Sequence, residues 1–210
     1  MRTEKEYKTI FTLILVFVST SVFSQEMNTI ISKEDSSWTS ISAYGGPFIG
    51  ATQLNKNWGV SIGGKGGFIL NRKFAFGGIG MGTASDYSFV GNNLTGNTDA
   101  SLEVSYGAGG VFVEYISQIT KAVHFSVPLN LMVGGVSIKD SDMDVESSRA
   151  FILEPGVNLE FNLTKSFIPC INFSYRRFFG SSLDNLGDQD LSGFNLGLVF
   201  KFGYFSDDQP

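Results

Sequence analysis

The sequence is poor in the side chains that most catalytic and metal sites require. It contains one histidine, His124, and one cysteine, Cys170, in 210 residues. A lone cysteine deep in the chain excludes a disulfide framework and a lipid-bearing cysteine at a mature N-terminus. The glycine strings at 63–67 and 107–110 precede no helical pattern, which excludes a phosphate-binding loop.

Charged residues are also scarce. Asp, Glu, Lys and Arg make up 17% of the chain, against roughly 25% in typical soluble domains. The formal net charge is −5 and no basic patch is present, so a nucleic-acid partner is not expected. Phenylalanine and glycine are abundant instead, at 20 and 25 residues. This composition indicates that something other than water covers part of the surface.

Long apolar runs are absent beyond the first residues of the chain. Residues 1–24 read as a secretory signal peptide, in which basic residues precede the apolar core 11–18 and a cleavage site precedes Gln25. Residues 25–38 are predicted to form a short periplasmic lead-in. No second run of about 20 apolar residues follows, so no membrane-spanning helix is expected.

The most regular pattern lies in residues 191–205. Every second residue there is bulky and apolar, namely Phe194, Leu196, Leu198, Phe200, Phe202 and Tyr204. The residues between them are small or polar, among them Asn195 and Lys201. A two-residue repeat is that of a β-strand, and the run exceeds the about five or six residues of a usual soluble strand. Its length suits a strand that crosses a membrane at a tilt.

Seven further segments are strand candidates. They are residues 41–52, 58–70, 74–85, 102–115, 123–138, 151–161 and 167–179. After the first hairpin, short connections at 71–73, 117–122 and 162–166 alternate with longer acidic ones at 89–100, 139–149 and 180–190. Outer-membrane barrels alternate short periplasmic turns with longer extracellular loops in this way. The predicted fold is all-β, an eight-stranded antiparallel up-and-down transmembrane β-barrel over residues 39–205 with a C-terminal tail at 206–210.

The volume of the barrel interior decides which face of each strand meets lipid. An eight-stranded barrel is just wide enough inside to be filled by side chains, and bulky residues from every strand would overfill it. The bulky face of 191–205 is therefore predicted to face lipid. The same reasoning puts Leu102, Val104, Tyr106, Ala108 and Phe112 on the lipid face, with Glu114 on that face near the strand end. Aromatic girdles are expected at Phe161, Phe167, Phe202 and Tyr204 on the periplasmic side and at Phe151, Phe179 and Phe194 on the outer side.

Inward charges are predicted to pair inside the barrel. Glu154 and Arg176 lie at about the same level on neighbouring strands, so a salt bridge is expected. Glu160 and Lys201 are expected to pair similarly. The predicted interior polar network comprises Glu154, Arg176, Glu160, Lys201, Asn158 and Asn195. Such pairs neutralise a packed interior, because a buried unpaired charge costs several kcal/mol; an ion path is the alternative.

No motif identifies a catalytic, cofactor or metal site. His124 lies inward near the periplasmic end of its strand, whereas a lipid-modifying enzyme needs a histidine with a serine and an acid near the outer rim. The alternating aspartates of 140–144 resemble the opening of a calcium loop, but Val145 and Phe151 stand where glycine and glutamate are required. We therefore expect no enzyme activity, cofactor or metal.

Three segments together resemble a known class of membrane protein. They are GGKGGFILNRKFAFGGIG, GAGGVFVEYI leading into VHFSVPLNLMVGG, and LEPGVNLEFNLTKSFIPCINFSYR. They are similar to the small outer-membrane β-barrel proteins of the OmpA and OmpX type, over about residues 40–205. The resemblance implies the outer membrane of a Gram-negative cell, contact with its lipid, and insertion by the barrel assembly machinery, which reads the last strand. Residues 206–210 follow Phe205, so the terminal aromatic of such proteins is not at the end here.

The first interpretation of function is a monomeric barrel with a filled interior. It would have a structural role, or interact with other molecules through its acidic extracellular loops, although no extracellular ligand is identified. A narrow pore or a small-ligand-binding barrel is the alternative. A lipid-modifying enzyme is a more remote one.

Overall fold

The computed structural model describes the barrel and part of its connections. The described residues are 40–55, 57–84, 87–91, 100–140, 143–184 and 186–205, without the side chains of 89–91, 100–101 and 143–145. The predicted signal peptide, lead-in and C-terminal tail lie outside these ranges.

Strands dominate the described residues. The elements are β1 Ile41–Leu54, β2 Asn57–Leu70, β3 Phe74–Thr83, β4 Tyr87–Gly91, β5 Ala100–Ser117, β6 Val123–Asp140, β7 Met143–Phe161, β8 Phe167–Phe179, α1 Asp188–Leu191 and β9 Gly193–Gly203. No helix in this part of the chain is long and apolar enough to cross a membrane.

The strands form a closed antiparallel barrel. Strand β1 pairs with both β2 and β9, and β3 pairs with β5. Strands β3 and β4 both pair with β5, along its second and first halves respectively, and therefore share one position in the wall. The barrel thus has eight strand positions, as predicted. The last strand closes the sheet against the first, where Leu198 lies opposite Ile49.

The two ends of the barrel differ in their connections. We call the end that carries the connections 71–73, 118–122 and 162–166 the turn end, and the opposite end the loop end. The prediction of a long loop at 139–149 is wrong, because β6 and β7 stay paired up to Asp140 and Met143. A bulge interrupts the register beside Ile138. Polar residues extend a strand ladder as well as apolar ones do, because the ladder consists of backbone hydrogen bonds.

The other loop-end boundaries also shift. Strand β4 reaches Gly91 and β5 begins at Ala100, so both strands enter the predicted loop 89–100. The last strand begins at Gly193 and ends at Gly203, inside the predicted 191–205. Its start is delayed because Asp188–Leu191 forms the short helix α1, whose Leu191 is buried.

Burial alternates along most strands as predicted. On β9, Phe194, Leu196, Leu198 and Phe202 are 46–52% exposed, whereas Lys201 is 1% exposed. Phe200 is half-buried and Tyr204 is exposed just beyond the strand end.

The predicted faces of β5 are wrong. Leu102, Phe112 and Glu114 are each at most 1% exposed inside the barrel, and the outward residues near the turn end include Val111 and Val113. A carboxylate is tolerated inside because cations meet it there, whereas facing lipid it would have no partner. The five apolar residues that the sequence pattern assigned to lipid, with Glu114, instead face the interior.

Apolar side chains also fill the two ends of the interior, where small and polar residues were expected. Towards the loop end they include Leu54, Tyr87, Leu102, Val104, Ile138, Ile152 and Phe178. Towards the turn end they include Tyr44, Ile69, Phe112, Ile116 and Ile168. Polar and charged groups therefore occupy the middle of the interior.

Candidate functional site: the charged barrel interior

Six charged side chains point into the barrel from five strands. They are Lys65 on β2, Glu114 on β5, Glu154 and Glu160 on β7, Arg176 on β8 and Lys201 on β9, each at most 8% exposed. Three carboxylates meet three cations, so the formal charges cancel when His124 is neutral.

Glu114 is the centre of the larger cluster. Its Oε1 and Oε2 accept hydrogen bonds from five side chains: Tyr44 Oη at 2.8 Å, Lys65 Nζ at 3.0 Å, Lys201 Nζ at 2.7 Å, Asn158 Nδ2 at 2.8 Å, and Ser126 Oγ. A buried carboxylate is stable only when its oxygens are well paired. The five donors, two of them cationic, meet that requirement.

Sequence reasoning missed the role of Glu114. The sequence carries a signal for it, because Lys65 lies on the same face of its strand as Gly63 and Gly67, and an inward lysine needs an acidic partner. In the ring of eight strand positions, β5 and β9 are four apart in either direction. The contact between Glu114 and Lys201 therefore spans the interior between opposite walls.

Glu160 extends this cluster towards the turn end. It accepts a hydrogen bond from Lys201 Nζ at 2.6 Å, which is the pair predicted from the sequence. His124 Nε2 lies 3.2 Å from Glu160 Oε2, and Nδ1 of the same ring lies 3.2 Å from the carbonyl oxygen of Lys121. Ser126 Oγ, which donates to Glu114, also contacts Glu160. The carboxylate thus lies between serine and histidine, an order that differs from the nucleophile–base–acid sequence of a hydrolase triad.

Glu154 and Arg176 form the second cluster, nearer the loop end. Arg176 Nε lies 2.6 Å from Glu154 Oε2, which is the predicted salt bridge. Glu154 Oε1 accepts further hydrogen bonds from Ser174 at 3.0 Å and Asn195 at 3.3 Å. The guanidinium also contacts the Tyr106 hydroxyl. Tyr106 belongs to the strand whose faces were assigned wrongly, so the sequence did not identify this partner.

Asparagines connect the two clusters into one network. Asn172 Nδ2 donates to Asn158 Oδ1 at 2.7 Å, and Asn172 Oδ1 lies 3.2 Å from Ser174 Oγ. Since Asn158 binds Glu114 and Ser174 binds Glu154, polar contacts connect the two clusters along the middle of the interior. Asn158 and Asn195, both predicted members, belong to this network.

A small cavity lies beside this network. Its volume is about 30 Å³, and its lining includes Lys65, Asn130, Glu154, Asn158 and Asn195. Space for one water requires about 10–15 Å³, so the cavity suits water-sized groups only. Asn130 Oδ1 is buried and accepts no hydrogen bond from the described residues.

The described residues form no metal site. No three His, Cys, Asp or Glu side chains are grouped there in a way that could hold a metal ion. Of the aspartate repeat in 140–144, Asp142 and the side chain of Asp144 lie outside the described residues.

Comparisons with known proteins match the chain by its structure. No protein-family model matches the sequence, and no curated protein matches it significantly. Neisserial surface protein A is 10% identical, with a TM-score of 0.57 over 79% of this chain and 98% of that one. A major outer membrane protein from Thermus thermophilus is 12% identical, with a TM-score of 0.50 over 78% of this chain and 99% of that one.

The fold is that of a small outer-membrane β-barrel. Both matched proteins are covered almost completely, so the whole barrel is matched rather than one hairpin. At 10% and 12% identity the likeness concerns the fold alone.

Proposed function

We propose that the protein is an outer-membrane barrel with a closed, charge-balanced interior, which presents its acidic loop end to the cell exterior as an interaction surface. The observation that best supports a closed interior is the contact between Glu114 and Lys201. At 2.7 Å, it joins opposite walls of the barrel across the middle of the interior. The apolar residues at both ends add a barrier to hydrated ions.

Support for a membrane location comes from the outer face of the barrel. Large exposed apolar side chains cover it on every side, which in water would favour aggregation. Aromatic rings meet near both ends: Phe167 and Phe202 stack at 4.8 Å near the turn end, and Phe151 and Phe179 lie 6.3 Å apart towards the loop end. Aromatic residues favour the two membrane–water interfaces.

The proposed export route follows from the same location. The signal peptide 1–24 is removed before Gln25, and the barrel assembly machinery inserts residues 39–205 with the turn end towards the periplasm. Short turns face the periplasm in such barrels. N-terminal sequencing of the mature protein and surface labelling of intact cells test these two steps.

Hydrogen bonds hold two described parts of the loop end together. The backbone N–H of Asp184 donates to Glu146 Oε2 at 3.0 Å, and that of Ser182 donates to Ser148 Oγ at 2.8 Å. These hydrogen bonds join the loop before β9 to the β6–β7 hairpin. An acidic surface held in this way is suited to a basic partner, which a binding screen with the barrel in lipid would identify.

Planar-bilayer recording tests the closed interior. Insertion is first verified by the shift in gel mobility between unheated and heated samples. We expect no steady open conductance from the inserted barrel, whereas a steady conductance would contradict the proposal and favour the narrow pore. A change in lipid A on expression, lost in His124→Ala, would instead support a lipid-modifying enzyme.

A further inference from the structure

We propose that the small cavity beside the polar network binds one or two ordered water molecules, which bridge Lys65 and Asn130. The inference rests on the closed interior proposed above and adds a ligand to it. Lys65 belongs to β2 and Asn130 to β6, and these strands are not neighbours in the sheet. Water between the two side chains therefore joins parts of the wall that no backbone ladder connects.

The carboxamide of Asn130 supplies the acceptor. Asn130 is 7% exposed and lines the cavity. Its Oδ1 is buried, and no donor of the described residues reaches it. The same side chain hydrogen-bonds Glu154, and a carboxylate only accepts, so the amide nitrogen faces Glu154 and the oxygen is the atom that lacks a partner. Buried polar atoms in folded proteins are generally paired with protein groups or with ordered water.

The ammonium group of Lys65 supplies the donor. Its side chain is 6% exposed and lines the same cavity. An ammonium group has three N–H donors, and Nζ of Lys65 uses one of them on Glu114 Oε2 at 3.0 Å. A water molecule in the cavity can accept another.

Other polar side chains of the lining already bond to protein groups. The heavy atoms lie 2.9 Å apart in the pair Ser61 and Thr52, 2.7 Å apart in Asn158 and Asn172, and 3.3 Å apart in Asn195 and Glu154. Within the described lining, the groups best placed to bind a further molecule are therefore the oxygen of Asn130 and the ammonium group of Lys65.

Water suits this pair of groups better than an ion does. A cation would lie beside the ammonium group of Lys65, and an anion would lie beside the Asn130 oxygen and the Glu154 carboxylate. Water donates to the oxygen and accepts from the ammonium group. The volume of about 30 Å³ is enough for two water molecules at about 10–15 Å³ each. Cavities that stay empty are apolar, whereas polar ones of this size hold water.

A crystal structure at a resolution that shows ordered water tests the inference. In the wild-type barrel we expect density for a water within about 3.2 Å of Asn130 Oδ1, reached from Lys65 Nζ directly or through a second water. An empty cavity overturns the inference. Crystals grown with bromide as the halide should show no anomalous peak in the cavity, and a peak there would identify an anion site instead.

Two matched variants test the role of Asn130. Asn130→Gln adds one methylene and carries the amide oxygen into the cavity, so the water at this position should be lost. Met132→Leu changes a buried apolar residue on the same face of β6 and should keep the water. Water that persists unchanged in Asn130→Gln overturns the assignment to Asn130. The wild-type density decides the inference without either variant.

The outcomes separate this inference from the proposed function. A dry cavity in a barrel that shows no steady conductance overturns the water site and leaves the closed interior intact. A steady conductance contradicts the closed interior, whatever the density in the cavity.

Discussion

Lys65 and Lys201 bind the two oxygens of one carboxylate. Lys65 Nζ lies 3.0 Å from Oε2 of Glu114, and Lys201 Nζ lies 2.7 Å from Oε1. The three residues belong to β2, β9 and β5, so one buried carboxylate connects three separate parts of the wall. Both lysine side chains are at most 6% exposed, so bulk solvent does not replace this partner for either ammonium group.

Glu114→Gln should destabilise the barrel strongly. The substitution keeps the size of the side chain but leaves Lys65 without its carboxylate partner and Lys201 with Glu160 only. Removing one member of a buried ion pair costs about 3–5 kcal/mol. Equilibrium unfolding by guanidinium in lipid vesicles measures the loss.

Glu103→Gln provides the control for that substitution. It removes the same charge from the same strand, but Glu103 is exposed and lies near the loop end. We expect its free energy of unfolding to stay within about 0.5 kcal/mol of the wild type. If the two variants lost the same free energy of unfolding, the buried ion pairs of Glu114 would not be what stabilises the barrel.

The salt bridge between Glu154 and Arg176 should show strong energetic coupling. Glu154→Gln and Arg176→Gln should each cost about 3–5 kcal/mol, because each leaves a buried charge without its opposite. The double variant should cost less than the two losses added, by about 1 kcal/mol or more. Additive losses would mean that Ser174, Asn195 and Tyr106 satisfy the two charges on their own.

The sequence predicted the architecture and half of the site. Strict alternation in β9 and β7 sorted the two faces correctly, and with them the ion pairs of Glu154 with Arg176 and of Glu160 with Lys201. In β5, glycines and alanine weaken the contrast between the faces, so side-chain volume indicated the wrong orientation. The position of Glu114 depends on Lys65 and Lys201, which are 49 and 87 residues away. Only closure of the barrel brings these three residues together.

Asp188 should make the order of the loop before β9 dependent on pH. Its carboxylate accepts hydrogen bonds from the Ser181 hydroxyl at 2.6 Å and from the N–H groups of Ser181 and Gly180, both at 2.9 Å. These bonds, with that of the hydroxyl foremost, lower the pKa of Asp188 below its usual value. A carboxylate with a lowered pKa stabilises the folded loop above the unfolded value of about 3.9, and the effect is lost as pH falls through the folded value.

Nuclear magnetic resonance of the Gly180 and Ser181 amides follows this titration. Both resonances should stay constant from neutral pH down to about pH 4 and shift below it. Asp188→Asn should show the shifted positions already at neutral pH, whereas Asp190→Asn, in the same helix, should leave the Ser181 amide unchanged. If both amide resonances shifted well above pH 4, Asp188 would not have the lowered pKa that its hydrogen bonds predict.

Two adjacent glycines of β3 should differ in their tolerance of a methyl group. Gly77 lies opposite Gly67 on β2, and a Cβ on Gly77 would lie 2.1 Å from the carbonyl oxygen of Gly66. Gly78 points outward, and the nearest atom to its Cβ would be 3.8 Å away. Gly77→Ala should therefore force the two strands apart and cost about 1–3 kcal/mol. Gly78→Ala should change the free energy of unfolding by less than about 0.5 kcal/mol.

Guanidinium unfolding of both variants in the same vesicles compares them, and equal values would mean that β2 and β3 can separate without loss. A loss confined to Gly77 would identify the close approach of β2 and β3 as the feature that requires glycine on the inner face of this narrow barrel.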